Sequence, residues 1–395
     1  MEFRVERGVL AEAVGWAARA LPARTPVPVL GGLLLEATAG RLSVSGFDFE
    51  TAARIDTDAE VAADGAVLVL GRRLLDICKV LPDGPVSCAL EGTRFTVEAG
   101  GTRFGLSTLP REEYPTPPTP PGVYGTVDAA AFAAAVGQVA VAAGRDDTLP
   151  VLTGVQLRLA GDAMTLAASD RYRYAVRRLE WKPEAGAADG EVEALLPARR
   201  LLEVARSLAR CGDVRIGLDA TAGGGLVGFE GGGMRSVVRQ LDGRLPGYGS
   251  LFDTAGAAVA EVGCEELRDA VRRVAVVAEA NSPVRLDFSG GAGSGSDGSG
   301  ADGSGADGSG AVLVRAGYGD DVAAQRLPAA LSGAEEVTVA FNPAYLLDAL
   351  NSFEAPRLRL ELLGAGQRTL LESVTADGVS DGVHRHLLMS VRQLV

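Results

Sequence analysis

His384 and His386 stand two residues apart, the spacing that places side chains on one face of a strand, where a metal ion would be shared. No cysteine or carboxylate at a suitable spacing completes a ligand set, so no metal and no cofactor is expected. Gly223-Gly224-Gly225 and Gly231-Gly232-Gly233 lack the Gly-x-x-x-x-Gly-Lys-Ser/Thr order that cradles phosphates, and read as turns flanking a strand from Leu226 to Phe229. The densest polar and aromatic cluster is Ser169-Asp170-Arg171-Tyr172-Arg173-Tyr174, which follows a strand-like run. It reads as a surface turn or as the lip of a binding site. An enzyme with a cleft around Asp170 and Arg173 is the catalytic alternative, but no nucleophile with its base accompanies them. Binding is the better reading.

Basic residues gather on three predicted helices: Arg72, Arg73 and Lys79; Arg199, Arg200, Arg206 and Arg210; and Arg268, Arg272 and Arg273. Solvated faces are the ordinary explanation, yet the recurrence points to helices turned toward a shared polyanion. The formal net charge of −13 opposes a protein that coats nucleic acid by charge alone. Positive charge must then be localised, or DNA held by topology. Apolar residues at 47% allow real cores. There is no membrane-length apolar run, no signal-like start, and the four cysteines are scattered, which together point to a reducing cytoplasm.

The elements that position these residues repeat three times. Leu10, Val14, Ala17 and Leu21 mark one apolar helix face; the pattern recurs at Phe132, Val136, Val139 and Ala143, and at Leu267, Val271, Val274 and Ala278. Pro28-Val29-Leu30-Gly31-Gly32 returns as Pro150-Val151-Leu152-Thr153-Gly154 and, more loosely, as Pro283-Val284-Arg285-Leu286, each leading into a strand. A second helix repeats at Arg72–Asp76, Arg199–Glu203 and Ala344–Asp348, and each copy closes on a strand, Arg103–Leu106, Arg235–Val238 and His386–Met389. The expected fold is α+β, with two helices per repeat packed on antiparallel sheets. The proline-rich run 115–121 ends repeat one, giving domains 1–121, 122–252 and 253–395. Residues 289–310, nearly all Gly, Ser, Asp and Ala, read as a disordered loop joining two strands of a hairpin.

In combination, several motifs resemble the bacterial sliding clamp, the beta subunit of DNA polymerase III. They are Phe3-Arg4-Val5-Glu6-Arg7, the Pro-Val-Leu-Gly-Gly segment, Ser107-Thr108-Leu109-Pro110 with Tyr114-Pro115, and Ser169-Asp170-Arg171-Tyr172-Arg173. Leu241 to Tyr248, Phe341-Asn342-Pro343 with Leu346-Leu347-Asp348, and Leu387 to Arg392 complete the set. The resemblance implies a processivity factor: a head-to-tail homodimeric ring that encircles double-stranded DNA and binds the DNA polymerase III alpha subunit, the clamp loader and other clamp-binding proteins. It implies DNA contacts at Arg24, Arg73, Arg145 and Arg199. It implies a dimer seam of Phe104 and Leu106 against Val276 and Val277. It further implies a partner-peptide pocket of Leu152, Ser169, Arg171, Tyr172, Arg173, Tyr174, Pro246, Leu251, Leu387, Met389, Ser390, Val391 and Arg392.

The chain departs from the family pattern at Ser390, where proline is usual, at Tyr174, where an aliphatic residue or Phe stands, and at Gly247 and Gly249. The tail Gln393-Leu394-Val395 and the long insert are also unusual. These differences keep open a specialised second clamp that confers resistance to a pocket-filling antibiotic.

Overall fold

The computed structural model describes residues 1–24, 27–184, 190–218, 225–279, 282–290, 310–318, 321–375 and 379–392. Six helices are found among them: α1 (Arg7–Ala17), α2 (Gly71–Val80), α3 (Ala129–Ala140), α4 (Ala198–Leu208), α5 (Cys264–Val274) and α6 (Pro343–Asn351). They fall two to each sequence repeat, with the expected apolar faces buried; Leu10, Val14 and Ala17 of α1 correspond to Leu267, Val271 and Val274 of α5. Leu21, Ala143 and Ala278 lie beyond the helix ends, contrary to expectation. After α1 and α5 the chain tightens into 3-10 turns at Ala18–Ala20 and Ala275–Val277. Leu21 and Ala143 are nonetheless buried, because apolar spacing reports burial and not the hydrogen-bond pattern.

The chain packs as two compact units, and their limits cut through the middle repeat. The first holds Met1–Ala134, Leu159–Asp162 and Glu180–Asp242; the second holds Ala135–Arg158, Ala163–Leu179 and Gly243–Val395. Within each unit a strand of one repeat pairs with a strand of another. In the first unit Met234–Arg239, the last strand of repeat two, pairs antiparallel with Thr51–Asp58 of repeat one, setting Arg235 opposite Arg54 and Val238 opposite Thr51. A nine-stranded sheet results. Beside it a five-stranded sheet ends on Thr102–Ser107, which pairs with Arg94–Ala99.

The second unit repeats the arrangement. Ser380–Met389, the last strand of repeat three, pairs with Arg173–Glu180 of repeat two, setting Leu387 opposite Tyr174. Ala258–Gly263 alternates buried and half-buried residues, as a strand with one face on the core must. The Val284–Ser289 and Ala311–Tyr318 strands form the expected antiparallel hairpin. Ser289, assigned in sequence to the loop, belongs to the strand, while 291–309 lie outside the described residues, as do Gly223, Gly224 and the tail 393–395.

Candidate partner-peptide site and cationic helix faces

The Ala163–Ser169 and Arg173–Glu180 strands meet in a turn governed by one carboxylate. Asp170 Oδ1 accepts from the backbone N–H of Tyr172 and of Arg173, both at 3.1 Å. Arg171 between them takes φ +82°, the left-handed region that bulky residues rarely adopt. Repeat one builds the same turn. Asp48 Oδ1 accepts from Glu50 N at 3.1 Å and Thr51 N at 2.7 Å, with Phe49 at φ +72°. The cluster singled out in sequence is therefore a turn whose shape is inherited from the repeat. What is new in the second copy is Arg173.

The Arg173 side chain is only 4% exposed. Its Nε donates to Asp170 Oδ2 at 2.8 Å and its Nη1 to Asp348 Oδ2 at 2.7 Å. The guanidinium lies 4.4 Å from the ring centre of Tyr345, on which exposed Tyr172 stacks at 6.0 Å. Tyr345 is held there by α6, whose Asn342 cap accepts from Ala344 N and Tyr345 N ahead of Pro343 in the first turn. Burial pushes the Tyr345 phenol up, nearby Asp170 adds to this, and Arg173 opposes it.

A second aromatic group lies on the following residue. Tyr174 tilts against Tyr248 at 5.6 Å and meets Phe252 edge-on at 5.9 Å, and its hydroxyl donates to the Pro246 carbonyl at 3.0 Å. Arg385 covers Phe252 at 4.7 Å. The segment carrying Pro246 and Leu251 is tied down at Leu245 N by Gln156 Oε1 (2.9 Å), and by Arg368 Nη1 on the carbonyls of Ser250 (2.9 Å) and Leu251 (3.1 Å).

The C-terminal strand completes the group. Met389 N donates to Tyr172 O at 2.8 Å. The Ser390 hydroxyl reaches the carbonyls of Gly364 (2.9 Å) and Gln367 (2.8 Å) and accepts from Gln367 N (3.0 Å), while its own N–H donates to Gln367 O. A proline here would have neither donor. Of the expected peptide contacts, Ser169, Arg173, Tyr174, Leu387 and Ser390 are buried. Leu152, Leu251 and Val391 are half-buried, and Arg171, Tyr172, Pro246, Met389 and Arg392 are exposed. Sequence reasoning missed Phe252, Arg385 and Gln156, which carry no local signal, and quoted Tyr345, Asp348 and Tyr248 only as motif members.

His384 and His386 do share a strand. Their rings stand 6.4 Å apart; His384 bonds Ser352 Oγ and Val176 O, and both ring nitrogens of buried His386 lack partners among the described residues. No group of metal-ligating side chains occurs among the described residues.

The basic residues divide into two kinds. Arg72 donates to the carbonyls of Pro22 and Ala23; Arg200 binds Asp48 and the Arg19 carbonyl; Arg268 reaches the carbonyls of Leu350 (3.0 Å) and Phe353 (2.8 Å). These three serve the fold, a correction to their grouping with free cations, and Arg210 stands in the turn after α4. Arg24, Arg73 and Arg145 are exposed and form no ion pair with a described residue, whereas Arg199 pairs loosely with Glu203 at 3.4 Å. At the expected seam, Val276 is 82% exposed and Phe104 half-buried. Leu106 is buried, and Val277 is half-buried and packs partly on its own domain's core.

Comparison with known proteins gives the family. Models of the DNA polymerase III beta subunit match in order: the N-terminal domain at residues 1–118, the central domain at 126–247 and the C-terminal domain at 320–386. The beta sliding clamp of Streptomyces coelicolor is 46% identical over 99% of both chains. The chain belongs to the beta sliding clamps. Within that family it is also 40% identical, over 99% of each chain, to the beta sliding clamp homolog GriR of Streptomyces muensis. Two solved clamps share the fold over essentially their whole length. The Pseudomonas aeruginosa clamp bound to griselimycin superposes with a TM-score of 0.85 at 24% identity, and the Bacillus subtilis clamp with 0.85 at 22%. As a beta sliding clamp the chain has three domains of helices on antiparallel sheets, and the buried arginine turn lies where its middle domain meets the last strand of the third.

Proposed function

We propose that two copies of this clamp close head to tail into a ring that encircles duplex DNA and tethers a polymerase. The supporting observation is a seam made twice and left open once. The last strand of repeat two is paired to repeat one, and that of repeat three to repeat two. The last strand of repeat one, Thr102–Ser107, has no described partner on its outer edge, and neither does the first half of Asp321–Ser332, where Val322 is 66% exposed. Free strand edges invite pairing, and a second copy supplies the missing match. Counting from the pairs Gly32–Leu70 and Val284–Phe341, the ladders make Arg54 equivalent to Gln325 and Thr51 to Val322. Leu106 of one copy would thus face Val322 of the other, with Phe104, Val276 and Val277 alongside.

Domains bounded at 1–121, 122–252 and 253–395 belong to this reading. So do DNA contacts at Arg24, Arg73, Arg145 and Arg199, and a peptide site at the Arg173–Tyr174 turn for the polymerase alpha subunit and the clamp loader. On this reading the Asp170–Arg173 pair braces the turn of a binding site. Enclosure reconciles an acidic chain with DNA, since a ring needs little phosphate affinity to stay on. The test is loading onto nicked circular DNA followed by linearisation: the clamp should slide off free ends, and retention would sink the ring.

A specialised resistance clamp is the second reading, favoured by the likeness to GriR and by Tyr174 and Ser390. The greater likeness to the Streptomyces coelicolor clamp weighs for the ordinary role.

A further inference from the structure

We infer that Tyr174 sets which peptide ends this site accepts, because its latched ring already fills the apolar socket that a large terminal side chain would need. The inference rests on the peptide-site reading above and adds a selectivity to it. Tyr174 is 4% exposed. Its ring is walled by Tyr248 and Phe252, and those two rings also meet each other, at 5.4 Å. Its hydroxyl donates to the Pro246 carbonyl at 3.0 Å, tying the ring to the segment that begins at exposed Pro246. The strand that carries Tyr174 is paired along its backbone, with Tyr174 opposite Leu387. Arg385 on the outer face of Phe252 holds that wall in place.

A partner offering Phe at its end must expel the Tyr174 ring and break the latch, whereas a smaller apolar end leaves it in place. The discriminating power of apolar sockets is about tenfold to a few hundredfold for a single methylene, so a whole ring in the socket is a strong filter. Replacing Tyr174 by Leu empties the socket. Replacing it by Phe keeps the ring and removes only the latch.

The experiment measures fluorescence anisotropy of two labelled hexapeptides, identical except for a Leu-Phe or a Leu-Val end, on the full chain and on Tyr174→Leu and Tyr174→Phe. We expect Tyr174→Leu to bind the Leu-Phe peptide at least about tenfold more tightly while the Leu-Val peptide changes by less than about threefold. Tyr174→Phe should fall between. Unchanged or weaker Leu-Phe binding, or equal gains for both peptides, would overturn the inference. Should Tyr174→Leu lose its circular-dichroism signature, Tyr174→Phe decides alone, and no selective gain counts against it. Failure of every protein to bind either peptide would instead sink the peptide-site reading.

Discussion

Arg173 and Asp348 meet at 2.7 Å although 175 residues separate them, and this contact joins the middle repeat to α6 of the third. The guanidinium is buried against two carboxylates, Asp170 nearly as buried as itself and Asp348 38% exposed. Removing one partner of a buried pair costs more than the pair contributes, because the other charge is stranded. Arg173→Ala should therefore lower stability by about 3 kcal/mol or more. Asp348→Ala, whose charge is screened and leaves Asp170 in place, should cost only about 1 kcal/mol. Urea unfolding of both variants checks the order. Equal losses would mean that the pair does not act as described.

The two kinds of arginine make opposite predictions. Arg73→Ala and Arg145→Ala should each reduce the slope of log affinity against log salt on linear duplex by about one, without altering stability. Arg268→Ala should leave that slope unchanged but lower stability by about 1–3 kcal/mol, since the carbonyls of Leu350 and Phe353 lose their donor. A salt-slope change in Arg268→Ala would place it back among the DNA contacts.

Much of this was legible before any coordinates. Three helical stripes, the Pro-Val-Leu segments and the closing strands gave the repeat, because period and spacing survive wherever a core must be covered. Cationic residues were less legible. Arg72, Arg73, Arg200 and Arg268 look alike in sequence, and only the position of a nearby carbonyl or carboxylate separates a tie from a free charge. The site was half visible for the same reason. Ser169 to Tyr174 announce themselves by density, whereas Tyr345 and Phe252 reach the cluster from distant segments that no local pattern connects. Leu106 is ambiguous in sequence because burial in its own domain and burial in a seam demand the same side chain.

Acid should weaken the fold through His386. Burial first, then neighbouring His384 and Arg173, hold its imidazole well below the ordinary range, so the folded state keeps it neutral. The sign follows: above the unfolded value near 6.5 there is no penalty, and below it the unfolded chain takes up a proton that the folded one refuses. Stability should then fall by about 1.4 kcal/mol per pH unit below about 6.5 until the folded group itself titrates. In His386→Phe this component of the slope should vanish in urea titrations at pH 7.5, 6 and 5. An unchanged slope would show that carboxylates account for all of it.

The open seam yields the sharpest test of assembly. Val322 is 66% exposed on the free edge of its strand, so Val322→Asp should fold normally in a single chain. In the dimer the new carboxylate would face Leu106 in an apolar setting, and burying an unpaired polar group there costs about 1–3 kcal/mol. Sedimentation across protein concentrations should accordingly show dimer dissociation at least about tenfold easier. Val379, 62% exposed in the turn ahead of the already paired Ser380–Met389 strand, provides the control. Val379→Asp should sediment like the parent chain. If both substitutions weaken the dimer alike, general charge repulsion is at work; if neither does, the two strand edges do not meet and the proposed register is wrong.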